Sequence, residues 1–167
     1  GAGTQTAGLA FGGVTSSFVG ITEKYNGTSW TEVNDMNTAR SKVFGHGFGT
    51  QTAALVAGGA TASDYSALSE TFNGTSWAEG NDLNQAREQV GSVSGTTTAG
   101  LVFGGQGPPP GMQVSCESYN GTSWTEVNNL NTGRYLLAGS GTLTAGLAFG
   151  GDTDPGKKKL NESWNGT

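Results

Sequence analysis

Short apolar runs closed by paired glycines recur along the chain: Ala7 to Phe11, Ala53 to Ala57, Ala99 to Phe103 and Ala145 to Phe149. Each run is unbroken by a polar side chain and too short for a helix, so it reads as a strand buried on both faces. Downstream of each run lies a second signal. Tyr25-Asn26-Gly27-Thr28-Ser29-Trp30 returns as Phe72 to Trp77 and Tyr119 to Trp124, and begins again at Trp164-Asn165-Gly166-Thr167. Nowhere do apolar residues hold a three-and-four spacing over two helical turns. In the second copy the pattern predicts strands over 41–48, 52–57, 68–72 and 77–79. Asn73-Gly74 is expected to form a two-residue type I′ turn with positive φ at both positions. The polar segment Asn81-Asp82-Leu83-Asn84 leads to the next copy.

Independent landmarks agree on the period. The pairs Gly12-Gly13, Gly58-Gly59, Gly104-Gly105 and Gly150-Gly151 are 46 residues apart, whereas Trp30, Trp77 and Trp124, like Arg40, Arg87 and Arg134, are 47 apart. A period in the mid-forties fits a four-stranded propeller blade or a unit of two or three helices, and the strand pattern decides for the blade. The expected architecture is all-β, a propeller with about four four-stranded blades in one region, approximately 1–35, 36–82, 83–129 and 130–167. Because the chain begins and ends within a repeat, without an initiator Met, a fragment of a longer protein is expected. In that reading the first blade lacks most of its inner strand and the fourth its outer strand, and other chain or another subunit fills the gap.

Composition narrows the class. Glycine supplies 30 of 167 residues and there are only four prolines. Without a strict Gly-X-Y period, collagen is excluded and a turn-rich β protein remains. The net charge of −5 and a single basic cluster, Lys157-Lys158-Lys159, offer little to neutralise a nucleic-acid backbone. No apolar run is long enough for a helix that spans a bilayer, and no signal peptide is expected ahead of Gly1. One cysteine, Cys116, allows no internal disulfide.

A Gly-Gly pair after a strand, an acidic and an aromatic residue in the next strand, a following Trp and an Arg opening the next unit together resemble the kelch motif of β-propellers. Glu23, Tyr25, Trp30 and Arg40 fit the first copy; Glu70, Phe72, Trp77 and Arg87 the second; Glu117, Tyr119, Trp124 and Arg134 the third. Glu162 and Trp164 open a fourth. The wording of the repeat is also similar to kelch-type arrays in structural proteins of marine phages, especially those of cyanobacteria. The Gly pair permits a chain reversal or a close backbone approach. The Trp supplies apolar area, and equivalent, largely buried positions are expected for Trp30, Trp77 and Trp124. The repeated Glu and Arg are expected to meet in a charge-assisted pair, bidentate where geometry allows, that holds blades together.

Some kelch propellers are copper oxidases, but their ligand set needs several His, and His46 is alone here. Cys116 has no base nearby in sequence and reads as a packed thiol. Asp35, Asp82, Asp152 and Asp154 stand near Asn residues, yet Asn128-Asn129 replaces the Asn-Asp pair in the third copy, so no repeated Ca²⁺ site is expected. Asn26, Asn73, Asn120, Asn165 and Asn161 match the N-glycosylation pattern, which turn geometry explains for the first four without a glycan. No catalytic residue and no cofactor is expected.

The segments after the Gly pairs share no chemistry. Constant strands with divergent loops fit a rigid scaffold presenting a contact surface. Phe18, Tyr65, Pro109 and Met112 are the candidate apolar contacts, and Asp64, Lys157 and Lys158 the charged ones. The expected function is a non-enzymatic structural or adhesion module of a virion, in a tail fibre, appendage or capsid-associated protein. Its partners would be other virion proteins, a host-surface glycan or protein, or further copies of itself. The alternative is a secreted bacterial surface adhesin.

Overall fold

The computed structural model of the chain describes residues 1–43, 48–93, 95–153, 156–157 and 159–167. Every regular element among them is a β-strand, and the strands form a four-bladed propeller arrangement of small antiparallel sheets. Blade 1 is β1 (Ala2–Thr4), β2 (Ala7–Val14), β3 (Phe18–Tyr25) and β4 (Trp30–Val33), hydrogen-bonded in chain order. Blade 2 repeats this with β5 (Phe48–Thr50), β6 (Ala53–Ala57), β7 (Ser69–Phe72) and β8 (Trp77–Glu79). Blade 3 contains β9 (Gly91–Ser92) and β10 (Gly100–Phe103), then the side hairpin β11 (Gln106–Gly107) and β12 (Gly111–Met112), then β13 (Cys116–Tyr119) and β14 (Trp124–Val127). Blade 4 has three strands, β15 (Ala138–Thr142), β16 (Ala145–Phe149) and β19 (Asn161–Trp164), with the side hairpin β17 (Asp152–Thr153) and β18 (Gly156–Lys157).

Several expectations about strands change. Of the inner strand expected over 41–48 in blade 2, residues 44–47 lie outside the described residues; among those described, β5 continues past Phe48 to Thr50, which pairs with Ala53 across a two-residue turn. Blade 1 keeps an inner strand, β1, as long as β5. The second strands are buried on both faces only in the middle blades: β6 and β10 are enclosed almost throughout, whereas β16 alternates between buried and exposed. A blade between two neighbours hides both faces, but the outermost blades each turn one face outward.

The Asn-Gly signal marks hairpins of a different length. Pairing of Tyr25 with Trp30, Phe72 with Trp77 and Tyr119 with Trp124 encloses four residues in each case. Only the Gly has positive φ, near 94° at Gly74. The Asn side chain closes the loop: Asn73 Oδ1 accepts the N–H of Thr75 at 2.9 Å and of Ser76 at 2.9 Å, and Asn26 and Asn120 do the same. This local bonding replaces the type I′ geometry. Asn73→Ala is expected to lower the unfolding free energy by about 1 kcal/mol, read as a lower urea midpoint at unchanged slope.

Three apolar clusters lie at the three junctions between successive blades. Leu9, Phe11 and Met36 meet Ala54, Val56, Phe72 and Trp77; Phe48, Leu55, Ala57 and Leu83 meet Val90, Val102, Tyr119 and Trp124; Val93, Leu101, Phe103 and Cys116 meet Leu137 and Ala148. Trp77 and Trp124 therefore each pack on the blade before their own. Trp77 and Trp124 are 6% and 5% exposed, while Trp30, on a face that no earlier blade covers, is 51% exposed. Equal burial of the three, as expected from the repeat, does not hold for Trp30.

Candidate functional site

The repeated Glu and Arg meet in every junction. Arg40 Nη2 lies 2.8 Å from Glu70 Oε1, Arg87 pairs likewise with Glu117, and Arg134 Nη2 lies 2.9 Å from Glu162 Oε1. Each arginine pairs with the glutamate of the copy that follows it, and Glu23 has no ion pair among the described residues. The contact is through one nitrogen and one oxygen rather than bidentate. Nη1 turns instead to backbone carbonyls, those of Gly58 and Leu68 for Arg40 and of Ser115 for Arg87. The second carboxylate oxygen is held by an asparagine of the linker: Asn84 donates its N–H at 2.7 Å and Nδ2 at 2.8 Å to Glu117 Oε2, with Asn37 on Glu70 and Asn131 on Glu162 in the same way. Burial pulls the Arg40 and Arg87 guanidiniums below the ordinary arginine value, and the facing carboxylates oppose that pull.

The Gly pairs explain how these arginines join two blades. The Arg40 carbonyl accepts the N–H of Gly13 at 2.8 Å, and the Arg87 carbonyl that of Gly59 at 2.8 Å. A Cβ on Gly58 would stand 2.6 Å from the Arg87 oxygen, at a φ of 70° that disfavours side chains as well. Beside each arginine, Lys42, Gln89 and Leu136 adopt φ of 54°, 55° and 53°. Their backbones form a relay from blade to blade, Gln89 N–H to the Lys42 carbonyl and Leu136 N–H to that of Gln89. Neither the asparagines nor this relay is part of the sequence reading, although Asn-x-x-Arg recurs visibly at 37, 84 and 131.

The described loop candidates lie in the connections between second and third strands, or in the case of Phe18 at the start of β3, so the antiparallel order sets them at one end of their blades. One pairing recurs in the four copies with different side chains. Phe18, partly buried, pairs with Val14; Tyr65, partly buried, bridges Ala60, with exposed Asp64 accepting its N–H; Met112, partly buried, pairs with Gln106 beyond the exposed Pro109; and exposed Lys157 pairs with Asp152. Each set belongs to its own blade. Lys158, His46 and Asp154 lie outside the described residues.

Among the described residues no group of three or more His, Cys, Asp or Glu could hold a metal ion, and no helix is long and apolar enough to cross a membrane. A cavity of about 140 Å³ adjoins the three-stranded sheet, against Leu101, Phe103, Cys116 and Trp164. Leu101 and Phe103 are the counterparts of residues that Trp77 and Trp124 cover at the earlier junctions. Burial pushes the Cys116 thiol up to about 11. At pH 8 only about one molecule in a thousand then carries the thiolate, so iodoacetamide is expected to modify the native protein far more slowly than the urea-unfolded chain. Equal rates would place the thiol in solvent. No family model matches the chain and no curated protein matches it.

Proposed function

We propose that the chain is a non-enzymatic structural and adhesion module of a virion, built on kelch-type repeats, in a tail fibre, appendage or capsid-associated protein. The observation that carries this reading is the contrast between a constant framework and unlike connections. The Arg–Glu–Asn bonding recurs in three junctions with nearly the same distances, and the residue after each Gly pair keeps one antiparallel pairing (Val14–Phe18, Ala60–Tyr65, Gln106–Met112, Asp152–Lys157), while the side chains that the four second-to-third-strand connections carry on that pairing share no chemistry. A scaffold of this kind tolerates change in loops that its strands would not accept. Phe18, Tyr65, Pro109 and Met112 supply apolar contact, and Asp64, Lys157 and Lys158 supply charge, toward another virion protein or a host-surface protein or glycan. The wording of the repeat supports a phage source. Half-exposed Trp30 at one end and Leu147 and Phe149, 42% and 37% exposed, at the other offer apolar faces for assembly with further copies.

The test is where the protein is found. Lysate of the source culture is banded on a density gradient, and peptides of this chain are sought by mass spectrometry. Co-banding with encapsidated DNA is expected. Recovery with the cell envelope instead would replace the virion reading by that of a bacterial surface adhesin.

A further inference from the structure

Adjacent blades are sealed differently at corresponding places. Between blades 1 and 2, Lys24 reaches across from β3 so that Nζ donates to the Gly74 carbonyl and stands 5.3 Å from the centre of the Phe72 ring. From the other side Gln51 Nε2 donates to the carbonyls of Gly8 and Tyr25 at 3.0 and 2.6 Å. Two long polar side chains thus fill the space between the blades. Between blades 2 and 3 the residues at these positions are Thr71 and Thr97, each too short to span it. There a groove of about 770 Å³ opens, within the range of about 300–1,000 Å³ usual for small-molecule sites.

A third difference lies at the floor of the groove. Phe72 is replaced by Tyr119, which is 3% exposed and whose Oη has no hydrogen-bond partner among the described residues. That hydroxyl lies beside Gly80, 3.9 Å from where a Cβ would stand. The ring is buried, but the hydroxyl is not one of the water-shielded polar atoms that lack a partner, so it opens on the groove and is free to exchange a hydrogen bond with an occupant. The remaining walls present the hydroxyls of Thr71 and Thr122, the Asn81 amide, whose Nδ2 already donates to the Thr122 carbonyl at 2.8 Å and leaves its oxygen to an occupant, and the carboxylate of Glu79, among the described residues the only charged group in the lining. With no cation there and a net charge of −5, an anionic ligand is disfavoured. The aromatic rings show almost no face, so an apolar ligand gains little. What matches is a molecule whose own groups both donate and accept.

We propose that the groove between blades 2 and 3 binds a neutral oligosaccharide, with Tyr119 Oη bonded to one of its hydroxyls. The site uses none of the loop residues and does not rest on the virion reading. Saturation-transfer NMR of the 167-residue protein with maltohexaose, cellohexaose and chitohexaose at millimolar concentration tests it. Transfer to at least one hexasaccharide is expected. Thr71→Lys combined with Thr97→Gln installs the side chains that seal the first junction and should abolish the transfer. Tyr119→Phe, which restores the residue of the preceding copy and keeps the ring packing, should weaken binding about tenfold. Absence of transfer to all three sugars, or unchanged binding by Tyr119→Phe, would overturn the proposal.

Discussion

Replacing Glu117 by alanine is expected to lower the unfolding free energy by about 3–5 kcal/mol, the cost of leaving a buried charge without its partner. The reasons lie on both sides of the pair. Arg87 and Glu117 are both fully buried. Removing the carboxylate strands the guanidinium and also frees the N–H and Nδ2 of Asn84, so three donors lose one acceptor group. Arg87→Lys should destabilise as well, because an ammonium cannot serve the Ser115 carbonyl and Glu117 from two fixed nitrogens. A double-mutant cycle with Arg87→Met and Glu117→Ala separates the pair from its surroundings: the double variant is expected to be more stable than the sum of the single losses predicts. Urea unfolding supplies the values, and a Glu117→Ala loss under about 1 kcal/mol would mean that water reaches the stranded arginine.

The legible part of this fold was its repetition. Gly58-Gly59, Trp77 and Arg87 recur at fixed spacing because each unit solves the same packing problem, and that recurrence is enough to mark the blades and the Arg–Glu pairing in the sequence itself. What was hidden depends on partners distant in sequence or on differences between copies. Asn84 reads as one polar residue of a linker, since its acceptor on Glu117 lies 33 residues away. The length of the Asn-Gly hairpins follows from the register of Tyr119 with Trp124, which short-range preference does not fix. The exposure of Trp30 is set by which blade stands before it. The groove arises where Lys24, Gln51 and Phe72 give way to Thr71, Thr97 and Tyr119, substitutions that an alignment drawn to find likeness passes over.

The tryptophans give the second large effect, and a contrast within one chain. Trp77→Ala is expected to cost about 3–5 kcal/mol. Its indole is 6% exposed, meets Phe11 edge-on with ring centres 5.1 Å apart, and donates Nε1–H to Thr22 Oγ1 at 3.0 Å. Truncation therefore opens a cavity between two blades and leaves the Thr22 hydroxyl short of a donor. Trp30→Ala removes the same atoms from the same position of the repeat, where half of the ring faces solvent and its neighbour is Tyr25 alone among the aromatic rings, 5.1 Å away. Its loss should be well under half that of Trp77→Ala, because burial and not residue type sets the size of the transfer and cavity contributions. Trp124, 5% exposed, should behave like Trp77, though its buried Nε1 lacks the bond that Thr22 gives, since Ser69 occupies that place and directs its hydroxyl to the Asn81 carbonyl. Comparable losses for Trp30→Ala and Trp77→Ala in dilute protein would mean that the outward face of blade 1 is covered in solution, and a concentration-dependent midpoint would then identify a second copy as the cover.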